Sequence, residues 1–239
     1  MRDRLTALTY RAAATVAQAV PRPVGDALAH LGGQVARRTM PERRALVERH
    51  QRRARGAESP DSVAGAFDSY AQYWYEMLRL PADVRRGVVP HHFVMDGYEH
   101  ILAGFEAGHG VIVALPHLGG WEYAAAWMAS QGHDMLAVVE PIEPPQLFDW
   151  FVAQREAIGL EVVPLGPGAL GALLRALRDN RLVCLVSDRD LTGDGVEVEF
   201  FGERTTLPGG PATLALRTGA TLLSAAVYFR PDRNHQAVV

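Results

Sequence analysis

Val111-Ile-Val-Ala-Leu-Pro-His117-Leu-Gly-Gly-Trp-Glu122 is the stretch on which the fold turns. A fully apolar, strand-like run ends in a histidine, two glycines follow, and a helical pattern begins with an acid five residues beyond the histidine. That order sets an imidazole at the carboxyl end of a strand, where open α/β sheets place their ligands, and His117 reads as a general base. His91 and Asp96 share the same offset. They lack the glycine turn and any following helix signal, so their spacing reads as accidental.

Outward from this stretch the chain divides by pattern. Residues up to about 108 read mainly as helices, with an aromatic segment at Phe67, Tyr70, Tyr73, Trp74 and Tyr75. Beyond Gly110, strand candidates at 110–115, 135–140, 160–164, 182–187, 196–201 and 221–228 alternate with helices near 120–131, 145–158, 169–179 and 209–218. The alternation predicts an α/β fold, a mostly parallel central sheet flanked by helices with a helical N-terminal region, in one domain of 239 residues. The alternating Val196-Glu-Val-Glu-Phe-Phe segment predicts a half-exposed strand near an edge.

Composition bounds the function. The 48% hydrophobic and 21% charged fractions are those of a globular chain. All 24 basic residues are arginine, which removes lysine chemistry, and the single cysteine, Cys184, removes an intramolecular disulfide and a cysteine-based zinc cluster. The arginines crowd between Arg37 and Arg55, a run suited either to anionic lipid or to a solvated helix face. Nucleic acid is not indicated, because the remainder of the chain is acidic and carries no reader motif.

No apolar run reaches the length needed to span a bilayer, and the N-terminal pattern, broken by Arg11, Gln18 and Pro21, does not read as a cleaved signal. Leu5, Leu8, Ala12, Val16 and Val20, then Val24, Leu28, Leu31 and Val35, repeat at helical spacing. Two amphipathic helices of this kind suit a membrane surface, although packing of the stripe on the core is the commoner arrangement.

A second motif competes. Gly166, Gly168 and Gly171 follow a strand and open a helix, with Asp188 about 20 residues on, the outline of a dinucleotide site for an NAD(P)-dependent oxidoreductase. Pro167, between the first two glycines, has no amide hydrogen to offer a pyrophosphate. A serine nucleophile elbow, a His-Glu-x-x-His site and a phosphate-binding lysine loop are absent from the sequence.

His117-Leu-Gly-Gly-Trp-Glu122 resembles the His-x4-Asp/Glu block of lysophospholipid acyltransferases, in the bacterial branch that includes lipid A biosynthesis acyltransferases. The runs Ser187-Asp-Arg-Asp-Leu-Thr-Gly-Asp-Gly195-Val-Glu-Val-Glu-Phe-Phe-Gly202-Glu and Leu207-Pro-Gly-Gly-Pro-Ala-Thr-Leu extend the match. Gln154-Arg-Glu-Ala-Ile-Gly and Asp188-Arg-Asp-Leu-Thr look most like phosphatidylinositol mannoside acyltransferases. Gly120 stands where relatives often carry asparagine, Ser187 replaces a more polar residue, and the chain stops soon after Tyr228, sooner than most members.

The resemblance implies acyl transfer from acyl-CoA, as co-substrate, to a glycolipid hydroxyl at the cytoplasmic face of the inner membrane, by a peripheral enzyme without metal or tightly bound cofactor. The residues suit that chemistry. A neutral imidazole at His117 can take a hydroxyl proton while the oxygen attacks a thioester. The imidazolium then needs an acid. Glu122 is the motif acid; Glu140 ends the next strand, which a right-handed crossover would bring beside His117, and it is favoured as direct partner with Glu122 supporting the turn. Arg155 and Asp188 extend the charge network. Amides near Gly119 and Gly120 suit an oxyanion, and Arg189 and Arg204 suit phosphates of CoA or of the acceptor. Trp121, Trp127, Phe148 and Trp150 are candidates for an acyl groove or for ordinary packing. A catalytically silent lipid-binding relative is the remaining alternative.

Overall fold

A computed structural model describes residues 2–55, 61–191 and 193–239. Four helices come first: α1 (Arg2–Ala19), α2 (Arg22–Thr39), α3 (Pro41–Arg55) and α4 (Asp61–Arg85). The alternating part follows as β1 (Phe93–Asp96), α5 (Tyr98–Glu106), β2 (Val111–Leu115), α6 (Trp121–Ser130), β3 (Met135–Val139), α7 (Pro145–Glu156), β4 (Leu160–Pro164), α8 (Ala169–Arg178) and β5 (Leu182–Val186). It closes with β6 (Val196–Phe200), β7 (Glu203–Leu207), α9 (Gly210–Thr218), β8 (Thr221–Ser224), β9 (Ala226–Phe229) and β10 (His235–Val238).

Five strands form an all-parallel sheet in the order β4-β3-β5-β2-β8. The continuous apolar runs Val111–Leu115 and Leu182–Val186 occupy its interior positions, as strands covered on both faces must. Tyr123, Ala126 and Trp127 of α6 pack on one side, and Leu173, Ala176, Leu177 and Leu214 of α8 and α9 on the other.

Three strands were not legible in the sequence. β1 and β10 pair in parallel, and β9 joins β10 antiparallel, making a second small sheet. β7 returns against β6 as a separate two-stranded ribbon rather than an edge of the main sheet. The expected strand at 221–228 is broken at Ala225, so that β8 serves the main sheet and β9 the small one. Asp96 accepts from Gln236 and makes no bond to His91, so their shared spacing carries no pairing.

The N-terminal helices invert the expected packing. Ala7, Ala14 and Ala17 of α1 are buried, while Leu5, Leu8 and Val16 face solvent. On α2 the buried residues are Gly25 and Gly33, and Val24, Leu28, Leu31 and Val35 are exposed. A Cβ at Gly25 would lie 2.1 Å from the Tyr75 ring, and one at Gly33 2.8 Å from the Phe67 carbonyl oxygen. Small residues therefore let α2 close on α4, and the large apolar stripe is left outside.

A buried polar network joins these helices to the last strand. Glu76 of α4 pairs with Arg22 at 3.3 Å and with the fully buried His235 of β10 at 2.9 Å. His235 stacks on Tyr123 with ring centroids 4.1 Å apart.

Candidate active site

The register of the sheet builds the site. Leu115 of β2 lies opposite Val186 of β5, and the Ser187 amide donates to the Leu115 carbonyl at 2.9 Å, carrying the pairing past the strand ends. Two residues further on each chain, position 117 faces position 188. His117 Nδ1 and Asp188 Oδ1 are 2.8 Å apart, with both side chains partly open to solvent. A carboxylate can only accept, so the shared hydrogen sits on Nδ1 and Nε2 presents its lone pair. Among the described residues Nε2 has no hydrogen-bond partner.

The expected partner of His117 therefore changes. A right-handed crossover predicts β3 beside β2, but β5 lies between them. Two strand spacings, about 10 Å, separate the ends carrying His117 and Glu140. Glu140 is exposed, lines the same cavity and makes no bond to the imidazole. Strand order is set by non-local pairing, which a crossover of correct hand does not reveal.

Glu122 lies beneath the turn rather than against the histidine. It is buried in the first turn of α6, accepts from Tyr73 Oη at 3.1 Å and pairs with Arg155 Nη2 at 3.1 Å. Burial pushes its carboxyl pKa up, against the opposing pull of the Arg155 charge, and burial likewise raises the Tyr73 phenol. The Arg155 guanidinium also lies 5.6 Å from the centre of the Trp121 ring and 5.8 Å from that of Phe151. The network thereby holds Trp121 at the cavity wall.

Gly119 and Gly120 are required by close approach. Gly119 has φ +59° and a Cβ there would lie 2.2 Å from the Val227 carbonyl oxygen; a Cβ at Gly120 would lie 2.8 Å from the His235 ring. The turn after β2 is thus pressed against β9 and β10. The Leu118 amide is taken by the Pro116 carbonyl, whereas the Gly119 and Gly120 amides donate to no acceptor among the described residues.

His117 opens onto a cavity of about 780 Å³ lined largely by apolar groups, among them Trp74, Phe148, Leu173 and Leu214. That volume suits a ligand with a long apolar portion. Tyr10, Tyr73 and Trp74 line it too, so the N-terminal helices complete its wall; their sequence signal was the aromatic segment, read without a role. Trp121 and Phe148 line the cavity. Trp127 instead packs on Phe93, and Trp150 joins a buried cluster with Phe151 and Ala14.

Arg189 is exposed and lines the cavity, and among the described residues it makes no salt bridge. Arg204 sits on β7 opposite Glu199 and does not line the cavity. Asp190, not singled out by sequence, accepts from the Gly193 and Gly195 amides at 2.8 and 3.1 Å and from the Thr206 hydroxyl at 2.7 Å, tying the loop after β5 to β7.

The glycine motif does not form a dinucleotide site. Gly166 and Gly168 precede α8, but β4 is an edge strand, β3 separates it from β5, and Asp188 is engaged with His117. A dinucleotide fold needs the acid on the strand next to the glycine turn.

A histidine oriented by a carboxylate at the carboxyl ends of two parallel strands, at the wall of a largely apolar cavity, gives this α/β protein a group suited to proton transfer beside an apolar ligand. The family model for bacterial lipid A biosynthesis acyltransferases matches residues 3–239, and the chain belongs to that family. It is 36% identical over 237 residues to a phosphatidylinositol mannoside acyltransferase of Mycolicibacterium smegmatis, covering 96% of this chain and 77% of the relative. It is 41% identical over 178 residues to proteins of the same name from two strains of Mycobacterium tuberculosis, covering 72% of this chain and 56% of theirs.

Proposed function

We propose that the protein moves a fatty acyl chain from acyl-CoA to a sugar hydroxyl of a glycolipid of the phosphatidylinositol mannoside type. The observation that carries this reading is the His117–Asp188 pair at the mouth of the apolar cavity. In the step, Nε2 of His117 removes the acceptor hydroxyl proton as that oxygen bonds to the thioester carbonyl carbon. The tetrahedral oxyanion is met by the Gly119 and Gly120 amides. Collapse breaks the carbon–sulfur bond, and the imidazolium, steadied by Asp188, returns the proton to the departing CoA thiolate. The acyl chain occupies the cavity, where each buried methylene contributes about 0.8 kcal/mol. Arg189 meets a phosphate of the donor or acceptor. No metal or bound cofactor enters this step.

The same reading places the enzyme at a lipid surface. Among the described residues no helix is long and apolar enough to cross a membrane. The uncovered stripes of α1 and α2 supply an apolar face of the kind that lies in a bilayer interface.

Release of CoA from palmitoyl-CoA, with and without phosphatidylinositol mannoside, tests the function. Acceptor-stimulated release that falls about 10²- to 10⁴-fold in His117→Ala is expected. Equal release by the variant would overturn the assignment of the base.

A further inference from the structure

We propose that the tip of the β6–β7 hairpin is a second lipid contact, in which Phe200 and Phe201 enter an anionic bilayer while the arginines of α3 engage its headgroups. The proposal rests on the lipid-surface reading above and adds a site to it.

Among the described residues the two strands of the hairpin pair with each other alone. Its register, Phe200 opposite Glu203, leaves Phe201 and Gly202 as a two-residue turn with φ +52° and +77°. Positive φ at both central positions is the turn that asparagine-glycine forms best. A bulky aromatic at the first position is sterically unfavourable there, so turn geometry does not explain Phe201. Phe200 and Phe201 are 57% and 60% exposed, with ring centroids 4.5 Å apart in an edge-to-face arrangement. Val196, on the same strand face as Phe200, is uncovered as well. Glu197 and Glu199 fall on the opposite face, across from Thr206 and Arg204.

Charge identifies the occupant. The tip is tied to α3 by Arg53 Nε and Glu203 Oε1, 3.0 Å apart. That helix buries none of its side chains and exposes Arg43, Arg44, Arg49, Arg52, Arg53 and Arg55. An aromatic tip beside six exposed arginines matches an anionic surface. At the base of the ribbon, Asp190 holds β7 to the loop carrying Asp188. The lipid contact and the catalytic carboxylate thus lie at opposite ends of one unit, about 17 Å long for five residues of strand.

The test attaches an environment-sensitive nitrobenzoxadiazole label to Phe201→Cys of the full chain. Cys184 is buried in β5, so the native thiol does not compete. A control label is placed at Glu106→Cys, exposed at the end of α5. With vesicles of equal phosphatidylglycerol and phosphatidylcholine, label emission should rise and shift to the blue at 201 and stay unchanged at 106. Phe200→Ser/Phe201→Ser should bind those vesicles roughly tenfold more weakly. Wild-type binding with a water-exposed label at 201 and no loss in the double variant would overturn the hairpin contact and leave helix docking standing. No vesicle binding by the wild type would overturn the lipid-surface reading itself. A protein-concentration-dependent shift at 201 without vesicles would overturn lipid in favour of self-association.

Discussion

In β5, Leu182 and Val183 are shut away from solvent, whereas on α2 Leu28 and Leu31 are each 56% exposed. Both segments carry several large apolar side chains, yet one uses them as core and the other turns them outward. The difference lies in what closes the packing. The sheet needs volume between its layers, and branched side chains fill it. The α2–α4 contact needs proximity, and Gly25 and Gly33 give it by having no side chain. An apolar stripe on a helix is therefore not by itself the core face; the position of the smallest residues decides which side is inward.

The largest expected break in this comparison is Leu182→Ala, which should cost about 2–5 kcal/mol in urea unfolding through lost burial and a residual cavity. On α2 two adjacent glycines should respond with opposite sign. Gly33→Ala drives a methyl into the Phe67 backbone and should destabilise by about 1–3 kcal/mol. Gly32→Ala meets nothing within 4 Å and should stabilise by up to about 1 kcal/mol through helix propensity.

Burial of Cys184 sharpens the contrast through pH. Its thiol, with an ordinary value of 9.0, is pushed up to about 12 by burial, so above pH 9 the unfolded chain loses a proton that the folded chain keeps. Stability is then lost as pH rises, by about 1.4 kcal/mol per unit in that window. Urea titrations between pH 9 and 10.5 should show this extra slope in the wild type and not in Cys184→Ala. The smallest stability effect is expected at Leu28→Ser, within about 0.5 kcal/mol, while binding to anionic vesicles weakens. A loss of stability comparable to that of Leu182→Ala would show that the stripe is core after all.

Much of the α/β part was legible because its signals are local. Val111–Leu115 and Leu182–Val186 are continuous apolar runs, and the glycines after His117 mark a turn into a helix. What escaped was non-local. The patterns of β2, β3 and β5 are the same whether β3 or β5 is the neighbour of β2, so a crossover of correct hand points to Glu140 where the sheet brings Asp188 to His117. β1 and β10 have four residues each and hydrogen-bond across more than 130 positions of chain, too short and too distant for periodicity to register. On α1 and α2 the apolar spacing gives the helices but leaves their facing open between core and membrane surface, because Gly33 carries no pattern until Phe67 is placed against it.

Which carboxylate serves His117 is decided by acceptor-dependent CoA release from Asp188→Asn and Glu140→Gln, measured in parallel with the wild type. Asp188→Asn should lose at least about 10²-fold in kcat, because the amide brings no charge to steady the imidazolium and its NH2 can face Nδ1 and hold the wrong tautomer, and Glu140→Gln should stay within about tenfold of the wild type. The reverse ranking, with Glu140→Gln collapsing and Asp188→Asn active, would contradict the His117–Asp188 pairing and the reading built on it.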